Sequence, residues 1–259
     1  MPPDFHVTDN ILDNEPTMRT LPFLLITLVS GAISGTILGI INLSVVEPYI
    51  DKAIELETQN DIKAGQNVNM DEIAGYRMWQ KSGEIFGGII YGISLSSLFG
   101  IVFAYSRSSL PGNNATMKAM FLASIMCFVL FIVPGLKYPS NPPAVGDPDT
   151  IYYRQGLFVT FLVISGVSAL GVTVVIKKID QTVSKKVAIS CTIYGAIMIV
   201  SYLVMPSNPD KISISMSLIE IFRLASATTI VMFWGILGAI FGTLWNRFEP
   251  HNFEKITAF

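Results

Sequence analysis

Charge is scarce in this chain of 259 residues: Asp, Glu, Lys and Arg together make up 14% of it. A soluble domain carries about a quarter. With 51% hydrophobic residues and a mean hydropathy of +0.54, the deficit points to a membrane protein. Histidine is scarcer still. His6 and His251 are far apart, and neither has a His or Cys neighbour at ligand spacing. No HExxH, CxxC, P-loop or GxSxG pattern occurs, so nothing matches a hydrolase or an ATPase and no enzyme or resident cofactor is expected. Cys127 and Cys191 both fall in apolar runs, where thiols behave as small hydrophobes. The net charge of −2 gives no reason to expect a nucleic-acid partner.

What the chain does have is six uncharged apolar runs: Thr20 to Val46, Ile85 to Ser106, Ala119 to Leu136, Gln155 to Ile176, Val187 to Pro209 and Leu224 to Asn246. Each is long enough to cross a hydrocarbon core of about 30 Å as a helix. The third is the shortest. The pattern predicts an all-α, polytopic membrane protein with about six transmembrane helices in one bundle, embedded in a lipid bilayer. Its domains are an N-terminal tail, 1–19, a transmembrane domain, 20–246, and a C-terminal tail, 247–259. The membrane domain includes an outer acidic segment, 47–84, and a proline-rich connector, 137–155. The first 20 residues are acidic where a secretory signal is basic, so the first run reads as a retained helix.

Lys and Arg in short loops set orientation. The 107–118 and 177–186 loops, together with the two tails, hold nine: Arg19, Arg107, Lys118, Lys177, Lys178, Lys185, Lys186, Arg247 and Lys255. The opposite side holds seven, with Arg223 at a helix end left out. "KKIDQTVSKK" is the strongest marker, so both termini are expected in the cytoplasm and the 47–84 segment and the connector outside. A glycosylation sequon at Asn114-Ala115-Thr116 would need the reverse.

Glycine spacing predicts packing. Gly31, Gly35 and Gly39 recur every four residues, as do Gly88, Gly92, Ser96 and Gly100, with Gly83 and Gly87 just before. Such ridges let a neighbouring backbone approach closely, holding spans one and two together or against a partner helix. Gly238 and Gly242 do the same in the sixth. "TLVSGAISGTILGI" in the first span faintly resembles "LVISGVSALGVTVVI" in the fourth, which would suit an inverted repeat.

The span interiors contain no Asp, Glu, Lys, Arg or His, which argues against a pump with a mid-membrane carboxylate. A pore lined by Asn42, Tyr91, Ser94, Tyr194 or backbone carbonyls remains compatible. Charge crowds the edges instead. Glu47, Asp51 and Glu55 share one helical face: either a solvated face or a stripe that collects divalent cations. Glu84 opens the second span, and Glu220 with Arg223 reads as an interfacial ion pair.

The connector "KYPSNPPAVGDPDT" is built unlike a linker. Pro139, Pro142 and Pro143 stiffen it, Gly146 permits a turn, and the Asp147-Pro148-Asp149-Thr150 run reads as a cap for the next helix, with Thr150 or Asp149 accepting its end N–H groups. It would hold Asn141, Asp147 and Asp149 in fixed places, either as a structural turn or as an ion-binding or gating element.

The segment "LKYPSNPPAVGDPDTIYYRQGLF" resembles the signature of the CbtA family, probable cobalt transporter subunits, through Tyr138, Pro139, Asn141, Pro142, Pro143, Gly146, Thr150 and Arg154. "VEPYIDKAIELE" and "IFRLASATTIVMFWGILGAIFG", with Phe222, Arg223 and Trp234, are similar to other family segments. The resemblance implies a cell inner-membrane subunit that passes Co²⁺ and works beside a small single-span, histidine-rich partner, which would supply the nitrogen ligands this chain lacks. Cations would meet Glu47, Asp51 and Glu55, then Asn141, Asp147 and Asp149, with Arg154 and Arg223 bracing the connector. The alternative is a non-transporting structural subunit of a larger membrane complex.

Overall fold

The computed structural model describes residues 19–209, 212 and 214–248. His6, His251 and nearly all of both tails lie outside the described residues. Apart from one isolated antiparallel bridge between Val145 and Ile212, all regular structure among the described residues is helical. In chain order the helices are α1 (Thr20–Val45), α2 (Glu47–Lys63), α3 (Met70–Ser106), α4 (Ala115–Cys127), α5 (Val133–Lys137), α6 (Ile151–Lys177), α7 (Val183–Val204) and α8 (Met216–Phe248). A π-helical turn, Phe128–Ile132, fuses α4 to α5, and a 3₁₀ turn, Pro148–Thr150, leads into α6. Six helical segments are long and apolar enough to cross a membrane, so the protein is multi-pass.

The boundaries follow local chemistry. Asn69 caps α3 by accepting the Asp71 and Glu72 N–H groups, and Asn114 caps α4 by accepting that of Met117. At 37 residues, α3 is about 55 Å long at 1.5 Å per residue, well beyond a hydrocarbon core of about 30 Å. Its charged first half projects beyond the apolar layer, and α2 folds back along it through a turn with Gly65 at φ 79°.

The π turn has a sequence cause. Pro134 has no N–H, so the carbonyls one turn before it lose a donor. The Val133 N–H bonds to the Phe128 carbonyl. The Val129 carbonyl takes a 2.6 Å hydrogen bond from the buried Ser165 hydroxyl of α6, and Ser165 also hydrogen-bonds the Tyr194 hydroxyl of α7 at 2.7 Å. The shortest apolar run thus spans without a break, and its irregular turn becomes an anchor for the α6–α7 hairpin.

Two cores result. The larger joins α1, α3, α4 and α8 around Phe99, Phe103, Trp234, Phe241 and Trp245. The smaller joins α5, α6 and α7 through Val133, Tyr138, Leu157, Phe161 and Met198. Hydrophobic burial supplies little drive between helices in lipid, so close backbone contact organises the first core. A Cβ on Gly31 would lie 2.6 Å from the Gly92 carbonyl oxygen, and one on Gly39 2.9 Å from Ile85 Cα. Gly35 and Gly88 face each other just as tightly. The ridges of spans one and two therefore hold those two helices together. Gly238 and Gly242 give the same closeness to Ala123 and Thr116 of α4.

Candidate functional site: an acidic cavity

The α2–α3 hairpin, the end of α1, the connector and α8 enclose a cavity of about 1100 Å³. Its lining carries five carboxylates, Glu47, Glu57, Asp61, Glu72 and Glu84, against a single guanidinium, Arg77. Tyr76, Trp79 and Tyr91 contribute aromatic walls, while Pro143 of the connector and Ile230 of α8 face the hairpin. Gly83 and Gly87 also line it, and nothing lies within 4 Å of where their Cβ atoms would be. Unlike Gly88 and Gly92 on the same helix, these two leave space open.

The carboxylates differ in their partners. Glu47 is 6% exposed and pairs with Arg77. Arg77 also reaches Asp51 at 3.0 Å, and Lys81 reaches the other Asp51 oxygen at 2.6 Å. Burial pushes the Asp51 carboxyl up, but hydrogen bonds and charge from Lys81 and Arg77 outweigh it and hold it below the usual range. These pairs clasp α2 to α3. Glu57 goes the other way: burial, then the neighbouring Asp61 charge, raises it above the ordinary carboxyl range. At the inner end of the cavity Asn42 Nδ2 donates to Glu84 Oε1 at 3.1 Å. Glu84 is the last ionisable group on α3 before its uncharged stretch begins.

The connector is cross-linked rather than open. Asn141 Oδ1 accepts from Arg223 Nη2 at 2.7 Å and Nε at 3.3 Å. Tyr138 donates its hydroxyl to the Pro206 carbonyl at 2.6 Å. Arg154 donates to the Val145 and Asp147 carbonyls, and Asp147 Oδ1 caps the 3₁₀ turn through the Asp149 N–H. Ala144 at φ 67° and Gly146 at φ 93° make the reversal. Pro139 is half-buried, Pro142 buried, and Pro143 reaches the cavity wall. Arg223 therefore turns to the connector, not to Glu220 as the i,i+3 spacing suggested.

Of the six candidate cation ligands, Glu47 alone is among the residues lining the cavity. Asp51 lies in the clasp, and Glu55 is exposed beside Lys52 at 2.9 Å and Gln59 at 3.2 Å. Asp147 and Asp149 are exposed in the connector. The structure does not bring the two sets into one site. Among the described residues no group of three or more His, Cys, Asp or Glu side chains is placed to hold a metal ion. Sequence reasoning did not single out Glu57, Asp61 and Glu72. Their signal was available, because Glu57 and Asp61 share a helical face, but the part of α3 that closes over them was not foreseen as helix.

A family model described as "Probable cobalt transporter subunit (CbtA)" matches residues 21–246. No curated protein and no solved structure matches the chain.

Proposed function

Because the chain belongs to the CbtA family of probable cobalt transporter subunits, we propose that it serves cobalt uptake across a cell inner membrane, receiving Co²⁺ from outside through the acidic cavity. Co²⁺ is here a substrate, and the protein is a conduit rather than an enzyme. The observation that carries this reading is the excess of five carboxylates over one guanidinium in a cavity that opens beside the apolar spans. A cleft of one sign concentrates counter-ions and speeds their capture. The lysine-rich turn between α6 and α7 belongs at the opposite end of the bundle, and by the positive-inside rule it supports a cavity that faces outside with both termini in the cytoplasm.

Each element then has a task. Glu57, Asp61 and Glu72 attract the hydrated cation at the mouth. Glu47 and Asp51, neutralised by Arg77 and Lys81, keep α2 beside α3. Glu55, Asp147 and Asp149 add negative field at the outer face, and Asn141, held by Arg223, keeps Pro143 against the cavity. Hard and borderline divalent ions suit such oxygen donors. No histidine lies among the described residues, so nitrogen ligands would come from a small single-span, histidine-rich partner.

The test is radiolabelled Co²⁺ uptake in cells lacking their own cobalt importers, with the chain expressed alone and with its partner. Uptake above empty-vector cells, competed less by Ni²⁺ than by Co²⁺, supports the proposal. No uptake in either condition, with folded protein in the membrane, overturns it in favour of a structural subunit.

A further inference from the structure

We infer that the inner end of the cavity, where Asn42 of α1 meets Glu84 of α3, is an oxygen-donor site for the divalent cation and the point at which it begins to shed water. This inference rests on the uptake reading and locates its first binding step.

Three independent features converge there. The first is an amide oxygen left over. Asn42 Nδ2 donates to the Glu84 carboxylate, which fixes the amide, since turning it over would set oxygen against oxygen. Asn42 Oδ1 is then shielded and has no hydrogen-bond partner; its residue lines the cavity, so a small turn of the side chain about its Cα–Cβ bond would present this oxygen to an ion there. A buried carbonyl oxygen without a donor is costly unless something completes it. A cation does so, and it favours the same amide orientation.

The second is the state of Glu84. Among the described residues Glu47 and Asp51 have Arg or Lys partners, whereas no Lys or Arg pairs with Glu84. Its charge faces the cavity without a neutralising cation of the protein's own. The third is room. Gly83 precedes Glu84 and Gly87 lies three residues beyond it, and both leave empty space where a side chain would stand. Tyr91, one turn beyond Gly87, also lines the cavity.

One carboxylate and one amide oxygen do not fill the six positions a divalent ion of this class takes. The ion keeps most of its water. That suits transit, where binding must be favourable enough to enter and weak enough to leave.

The experiment titrates Co²⁺ alone into the purified full chain in lipid nanodiscs by calorimetry, with thermal unfolding recorded for every variant. Glu84→Gln should weaken binding at least tenfold. Asn42→Asp should tighten it severalfold, because it places a second carboxylate at the site. A purely structural role would instead make that variant less stable with no gain in affinity. Gly87→Leu, at a position open around its Cβ, should fold normally and lose binding by filling the cradle. Unchanged Co²⁺ affinity in folded Gly87→Leu and Glu84→Gln overturns the inference, as does weaker binding by Asn42→Asp. The two readings fail separately. Uptake by wild type that Glu84→Gln matches leaves the transporter and removes this site, whereas Co²⁺ binding of the expected pattern without uptake leaves the site and removes the transporter.

Discussion

Helices α1 and α6 carry similar strings of Gly, Ser and aliphatic residues, yet they sit in different surroundings. In α1, Gly31, Gly35 and Gly39 lie against the backbone of α3 with no room for a Cβ. In α6, Gly156 and Gly171 have nothing within 4 Å, and Gly166 meets only the end of Leu130 at 3.6 Å. Gly195 of α7 is likewise open. The four-helix core of α1, α3, α4 and α8 is held by backbone contact and by edge-on aromatic contacts, such as Phe99 and Phe103 of α3 against Phe241 and Trp245 of α8. The α6–α7 hairpin hangs on a short polar link, Ser165 to Val129 and Tyr194, and on the small core around Phe161 and Tyr138. Small residues at four-residue intervals thus permit close packing without causing it. A partner ridge at the same depth is also needed, and α3 supplies one to α1.

That contrast can be broken from the core side first. Gly35→Leu drives a side chain into the Gly88 carbonyl and should cost more than about 3 kcal/mol, read as loss of monodisperse protein after detergent extraction. Arg77→Ala should cost about 3 kcal/mol, because it leaves buried Glu47 without its cation. A normal unfolding temperature for this variant would show that the α2–α3 clasp does not depend on the pair. On the hairpin side, Ser165→Ala should cost about 0.6–2 kcal/mol. Hydrogen exchange should then quicken in α6 and α7 and stay unchanged in α1 and α3. Equal quickening everywhere would mean that the two regions open as one unit.

The pH response should be smaller and confined to the α2–α3 hairpin. Asp51 has a folded-state value below its ordinary one. Its stabilising contribution is therefore present above the ordinary carboxylate range and is lost as pH falls through the folded value. Glu57 is raised and has the opposite sign: it favours the folded state at acid pH and opposes it once ionised. Tm measured from neutral pH downward should fall for wild type, and fall less for Asp51→Asn. The smallest effect is expected for Gly171→Ala, within about 0.5 kcal/mol of wild type or slightly more stable, since the position has room and alanine favours the helix.

Much of this architecture was legible along the chain. The six spans follow from hydropathy and length, which are local properties, and the glycine ridges from a four-residue spacing that a helix turns into one face. The connector's stiffness was also written in Pro139, Pro142 and Pro143, but the cap falls on Asp147, which accepts the Asp149 N–H, and not on the side chain of Thr150 or Asp149. The first half of α3 was harder. Residues 70–84 mix polar and apolar side chains, and their helix is sustained by Asn69 at the cap and by ion pairs to α2, not by an apolar stripe. The cavity went unforeseen for that reason.

The sequence by itself determined that this is a six-span membrane protein with an acidic, conformationally restricted membrane edge, because bilayer thickness, charge burial and proline geometry act on each segment alone. Only the tertiary structure decided which of its acids are neutralised and which look into open space. Glu47 meets Arg77 from 30 residues away, Asn42 meets Glu84 from 42, and Asn141 meets Arg223 from 82. Pairing of that kind depends on how helices cross, and the crossing is set by glycine backbones that meet in space and not in sequence.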